Sequence, residues 1–261
     1  MSKNDFTLSV YQNLLEEIRR SGFEVITIKE YFVKKDNEES FIILRHDVDR
    51  CPENALKMAE LESALGMYAT YYFRFKKKAF VPHIIKQIKD LGHEIGYHYE
   101  VMDKARGNIF QAEQIFNSEL TSLRKLAEVN TVCMHGNPLT KWDNRSFWKH
   151  FSYSKFSLLG EAYLSITDPD LYYSTDTGRG WNRLKYNMKD IFSCHSISYL
   201  PTLTTTWQLI DVIRSKKYKK IYLQIHPNRW SWKWLQWHIQ MVEDIAANLT
   251  KVLINFYRRA K

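Results

Sequence analysis

The stretch Phe41-Ile42-Ile43-Leu44-Arg45-His46-Asp47-Val48-Asp49 decides the reading of this chain. Four apolar residues in a row read as a buried strand, and the polar run after them falls at that strand's carboxyl end. In extended backbone, residues two apart point the same way, so Asp47 and Asp49 converge while His46 faces elsewhere. Two carboxylates that close repel each other unless a cation or a shared proton relieves them, which points to metal ligation or acid/base chemistry. The competing reading is a polar turn capping the helix that Pro52 opens, and for an isolated pair it would prevail.

Outward from this stretch the pattern alternates. The spacing predicts a helix over 8–20 stopped by Ser21-Gly22, then strand 41–46, helix 52–65, strand 69–75, helix 80–90, strand 93–98, helix 108–127 and strand 131–134. Residues 152–190 read as irregular. Strands over 191–198 and 221–225 flank a helix over 205–215, and a helix over 232–257 closes the chain. Alternating strands and helices imply parallel strands joined by right-handed crossovers. The expected class is α/β, a distorted (β/α) barrel of about seven parallel strands, in a single domain spanning 1–261. In such barrels chemistry collects at the carboxyl ends of strands, where Asp47, Asp49, His98, Glu100, His135 and His226 all fall.

The 261 residues, 44% of them hydrophobic, supply ample core, and no repeat or low-complexity linker divides them. The segment Met1-Ser2-Lys3-Asn4-Asp5 lacks the apolar core of a signal peptide, and no later span is apolar enough to cross a bilayer. A soluble, cytoplasmic protein is expected. Three scattered cysteines suit a reducing compartment better than a disulfide framework. Cys133, two residues before His135, is conceivable as a ligand, with a buried inert thiol the commoner case. The charge of +9 suggests an anionic partner: a nucleotide-linked or phosphorylated substrate, a nucleic acid, or an acidic lipid surface. Nucleic acid has only this charge behind it and is not expected; peripheral membrane contact stays open.

Gly92-His93-Glu94-Ile95-Gly96-Tyr97-His98-Tyr99-Glu100, taken with His46-Asp47-Val48-Asp49, resembles the first two motifs of the polysaccharide deacetylases, carbohydrate esterase family 4. Asp176-Thr177-Gly178-Arg179-Gly180-Trp181 and Leu223-Gln224-Ile225-His226-Pro227 resemble the later motifs in order, so the likeness covers roughly residues 41–230. The resemblance implies a distorted barrel and a metal-dependent hydrolase that removes acetyl groups from sugars. Carried over, Asp47 resembles the catalytic base, Asp49 a metal ligand, His98 the first histidine ligand and His226 the general acid, with Asp176 orienting it. Zinc is the expected divalent metal. An N-acetylated sugar or phosphate-bearing glycan precursor is the expected partner. Arg179, Trp181 and Trp230 are the substrate-contact candidates.

Two departures stand out. Where the family has its second histidine ligand this chain has Met102, a poor partner for such an ion, and the family's Arg-x-Pro-aromatic motif is missing. His135-Gly136-Asn137-Pro138 occupies about that motif's place. His135 is therefore the preferred third ligand, with Glu100 the alternative. Met102 also keeps open a non-catalytic glycan-binding relic, beside hydrolysis of a different C–N bond. Among the remaining residues, His93 and His46 read as structural neighbours, and Arg179 as a partner for Asp47, a phosphate contact or a plain surface residue. Cys194-His195 is rejected as a ligand pair because adjacent strand residues face opposite ways. Trp230, Trp234 and Trp237 share a helical side and read as core, with Trp230 or Trp232 at a substrate rim.

Overall fold

The computed structural model describes residues 4–34, 39–183, 186, 189, 192 and 197–259, and side chains up to residue 254. The chain opens with α1 (Leu8–Arg20), whose Val10, Leu14, Leu15 and Ile18 are buried and whose first turn Thr7 caps through its hydroxyl. β1 (Glu24–Ile26) and α2 (Ile28–Val33) follow, the latter started by a reciprocal capping box between Thr27 and Glu30. β2 (Phe41–Val48) is buried over its whole length, as a strand covered on both faces must be. After it Cys51 takes a left-handed φ of 53°, turning the chain away from the strand end so that Pro52 can open α3 (Pro52–Ala64).

The repeating series continues with β3 (Thr70–Arg74), α4 (Pro82–Asp90), β4 (Glu94–Tyr99), the short α5 (Val101–Lys104), α6 (Ile109–Arg124) and β5 (Thr131–Met134). Then come β6 (Gly160–Glu161), β7 (Leu171–Thr175), β8 (Ser198–Tyr199), α7 (Thr206–Arg214), β9 (Lys220–Ile225) and α8 (Trp234–Arg259). Among the described residues nine strands form one sheet in the order β6-β5-β4-β3-β2-β9-β7-β8, with β1 on the amino-terminal part of β2, and each of these pairings is parallel. The sheet curls into a half-barrel with its helices outside, the distorted (β/α) architecture that the alternating sequence pattern implies.

The strand count exceeds the expected seven because β1, β6 and β7 are short pieces with too few residues to show a period. β7 lies inside the stretch read as irregular, and it carries Asp176 at its carboxyl end. Of the strand expected over 191–198, Ser198 pairs with Tyr172; Cys194 and His195 lie outside the described residues.

Register sets the two faces of β2. His46 points out toward the helices, where its Nε2 lies 2.7 Å from Glu62 of α3, while Arg45 and Asp47 point into the barrel. The interior is lined with tyrosines, and the fully buried Arg45 guanidinium lies 4.3 Å over the Tyr163 ring and hydrogen-bonds the hydroxyls of Tyr163 and Tyr222. Gly96 on β4 clears space for this layer: a Cβ there would stand 2.2 Å from the Tyr72 ring.

Candidate active site

The carboxyl ends of five strands deliver the polar residues. β2 ends on Asp47 and leads to Asp49, β4 carries His98, β5 runs into His135, β7 into Asp176 and β9 into His226. Parallel register brings these ends level: His98 pairs with Cys133, two residues before His135, and His46 pairs with Ile225, just before His226.

Asp47 is fully occupied by its neighbours. Arg45 donates Nε to Oδ1 at 2.8 Å and Nη2 to Oδ2 at 2.6 Å, and Gln224 donates to Oδ2 at 2.7 Å. Burial pushes this carboxyl up, but Arg45 and then His98 outweigh it and hold Asp47 well below the usual carboxylate range. Three of roughly four lone-pair directions are filled.

Asp49 is the opposite case. Its Oδ1 makes no hydrogen bond, yet it lies 3.6 Å from His98 Nε2, 3.5 Å from His135 Nε2 and 3.5 Å from Arg74 Nη1. Each donor stops just short of bonding distance. Ligand atoms about 2.1 Å from one tetrahedral zinc stand about 3.4 Å from each other, so these spacings fit a shared ion. The two imidazoles stand edge to face with centroids 5.3 Å apart. His98 donates Nδ1–H to the Cys133 carbonyl at 3.0 Å, which fixes the ring with Nε2 toward Asp49. Burial, only partly countered by Asp49, pushes the His135 ring down to about 3, so it stays neutral and able to ligate.

Among the described residues, two donor groups have all their ligand atoms close enough to hold one ion, Asp47 with His98 and Cys133, and Glu100 with Asp103 and His135. Their carboxylates have partners already, although Glu100 Oε1, like Asp49 Oδ1, makes no hydrogen bond. Asp47 is held by Arg45 and Gln224, Glu100 by Arg74 at 2.6 Å and Lys76 at 3.2 Å, and Asp103 by Thr140 and Asn144. Burial pushes the Glu100 carboxyl up, but Arg74 and His135 bring it below its ordinary value.

Asp176, fully buried, organises the other side. It accepts from His226 twice, the ring Nδ1–H at 2.6 Å and the backbone N–H at 3.0 Å, and also from Arg229 at 2.7 Å and the Trp230 indole at 3.1 Å. Burial raises the Asp176 carboxyl, while Arg229 and His226 bring it below its ordinary value. His226 follows Ile225, the partner of His46 in the neighbouring strand, so its backbone lies beside that of Asp47 at the same end of the sheet.

The three proposed substrate contacts need correction. Trp230 has no exposed surface: it packs against Phe6, Tyr11 and Trp181 while bonding Asp176, so it supports the site from behind. Trp181 is likewise fully buried, with its indole N–H on Thr206. Arg179 pairs with Asp244 on α8 at 3.3 Å between the rings of Phe6 and Trp237, far from any pairing with Asp47, whose partner is Arg45. Trp234 is 72% exposed rather than core. Sequence reasoning passed over Arg45, Arg74, Gln224 and Arg229. Arg45 was legible in principle, since it shares the Asp47 face of β2 by the same two-residue rule.

No family model matches the chain, and no curated protein does. Among solved structures the chain is similar to a family 4 carbohydrate esterase from Bacillus anthracis (16% identity, 82% of this chain and 89% of that one, TM-score 0.42). It is also similar to a CE4 esterase from Streptococcus mutans (12%, 93% and 91%, TM-score 0.47) and to a CE4 family pseudoenzyme from Bacillus anthracis (14%, 73% and 70%, TM-score 0.35). No helix among the described residues is long and apolar enough to cross a membrane.

Proposed function

We propose that the chain is a metal-dependent hydrolase that removes an acetyl group from an N-acetylated sugar, with zinc held by Asp49, His98 and His135. The observation that carries this is the unbonded Asp49 Oδ1 set between the Nε2 atoms of His98 and His135, at 3.6 and 3.5 Å. The motif resemblance supports the same reading.

Zinc, when bound, supplies Lewis acidity, polarising the acyl carbonyl and making a water more acidic. Asp47 stays ionised and has one lone-pair direction left, which orients that water and takes its proton. Arg45 makes Asp47 a weak base, so proton transfer to it would need the acidity that a bound metal would lend the water. On the far side His226 gives a proton from Nε2 to the departing sugar amine. Asp176 fixes the tautomer by holding Nδ1–H, and compensates the imidazolium charge before the transfer. The +9 charge favours a substrate carrying phosphate.

Acetate release from a panel of N-acetyl sugars, measured together with bound zinc, tests the assignment. Asp49→Ala loses metal and activity together, whereas Asp47→Asn keeps metal and loses turnover. Equal metal loss in both variants would show that the two aspartates are wrongly assigned.

A further inference from the structure

We infer that Asp244 of α8 is a positioning residue for the Asp176–His226 pair, fastening together the two loops that carry it; the inference rests on the reading of His226 as the general acid. The pair is split between two strands. Asp176 follows β7 and His226 follows β9, so the 2.6 Å bond from His226 Nδ1 to Asp176 Oδ1 is only as well aimed as those two loops are held.

Asp244 reaches both loops. Its Oδ2 lies 3.3 Å from Arg179 Nη1 and its Oδ1 lies 3.7 Å from Arg229 Nε. Arg179 belongs to the loop after β7, where its backbone N–H bonds the Asp176 carbonyl at 3.1 Å. Arg229 belongs to the loop after β9. Its backbone N–H bonds the His226 carbonyl at 2.9 Å, and its Nη1 donates at 2.7 Å to Asp176 Oδ1, the oxygen that His226 also uses. These links close a ring from Asp176 to Arg179, Asp244, Arg229 and back, and Asp244 is its member from outside the strand ends. Two neighbours along the helix fix α8 against the ring. Gln240 donates to Asp244 Oδ1 at 3.2 Å, and Asn248 donates to the Gly178 carbonyl at 3.4 Å.

The contact between Asp244 and Arg229 acts through charge. Arg229 Nε is buried and makes no hydrogen bond, and Asp244 is 5% exposed, so solvent screens the attraction little. The ring sets two carboxylates against two guanidiniums and is balanced. Without the Asp244 charge, Arg229 stands unopposed on the same carboxylate oxygen as the imidazole that has to carry the proton. α8 lies beyond residues 41–230, over which the chain resembles the deacetylases, so the resemblance does not account for this brace.

Asp244→Asn removes the charge, keeps the shape and is read in two ways. In the metal-free chain, the His226 Nδ1–H donated to a buried carboxylate gives a downfield proton resonance, which His226→Gln assigns by abolishing it. In Asp244→Asn this resonance is expected to move upfield and exchange faster with water. In the zinc-loaded chain, kcat for the N-acetyl sugar that the wild type hydrolyses should fall roughly tenfold, with KM and bound zinc unchanged. Asp244→Glu should recover part of the loss. Glu243→Gln, on the same helix but paired with Arg50 at 3.2 Å, should match the wild type in both readouts. Arg229→Gln cuts the same link from the other side and serves if Asp244→Asn does not fold. An unmoved resonance, or a wild-type kcat, overturns the proposal. If the wild type itself releases no acetate, the acid reading of His226 falls, and the resonance alone decides whether Asp244 holds the ring.

Discussion

Arg45 grips Asp47 through two parallel N–H···O contacts, 2.8 and 2.6 Å long, from two residues upstream on the same strand. Both side chains lie inside the barrel at 0 and 2% exposure, so bulk solvent does little to stabilise either charge. Removing one partner of such a pair leaves an uncompensated buried charge, which costs about 3–5 kcal/mol. Arg45→Met should therefore lower unfolding free energy in urea by about that much. Adding Asp47→Leu should recover a large part of the loss. If the second substitution makes matters worse by a further full increment, the two residues are not acting as a pair.

Asp176 and His226 form the second coupled pair, and Asp176→Asn tests it. The amide offers a donor where Nδ1–H needs an acceptor, so the ring is expected to flip to the neutral tautomer with Nδ1 bare and the proton on Nε2, a far weaker acid than the imidazolium that the carboxylate supports. Turnover should fall roughly 10³- to 10⁴-fold, with bound zinc unchanged. Loss of zinc in this variant would place His226 among the ligands instead.

The choice of third ligand rests on how Glu100 is occupied. Arg74, Lys76 and Lys104 lie 2.6, 3.2 and 3.5 Å from its oxygens, so its charge is already balanced. His135→Ala should weaken zinc binding about as much as His98→Ala, each by at least about tenfold, and Glu100→Gln should change it little. Calorimetric titration with zinc separates the cases. Stripping of metal by Glu100→Gln, with His135→Ala still loaded, would exchange the two roles.

Acid stability follows from a cluster outside the barrel. His93 accepts the Ala69 N–H at Nδ1 and donates Nε2–H to the Ala59 carbonyl, so the fold requires the neutral ring. Burial, only partly countered by Glu62, lowers its affinity for a proton. Because the folded value lies below the unfolded value of about 6.5, the unfolded chain binds more protons below that pH, and stability falls as pH drops through it. Glu62 adds a second loss. Burial raises its carboxyl but His46 more than offsets this, so its contribution is complete above about 4.3 and fades as pH falls further. His93→Asn should make the first limb shallower by up to about 1.4 kcal/mol per pH unit in urea titrations. An unaltered slope would show that His93 takes no part.

The fold was legible because the long elements carry their own signal. β2, β4 and α3 are apolar runs or periodic stretches bounded by Pro52 and Gly92, and the structure ends them within a residue or two of the sequence reading. β7, only five residues long between two loops, was not, because its burial comes from β8 and β9 on either side. At the site, Asp47, Asp49, His98, His135 and His226 each sit at the end of a strand, a position that sequence order reveals, whereas Asp176, at the end of β7, was reached only through the motif resemblance. The tryptophans misled because aromatic content does not reveal depth. Trp181 and Trp230 are buried by α1, α7 and each other, contacts made by residues far away in the chain.

Acetate release before and after zinc is restored to the chelator-stripped chain tests the central claim most directly. The account predicts no release from N-acetylated sugars by the stripped protein, and recovery in proportion to zinc bound, saturating at about one ion per chain. Release that persists without metal, or full zinc occupancy without release from any N-acetyl sugar, would contradict it.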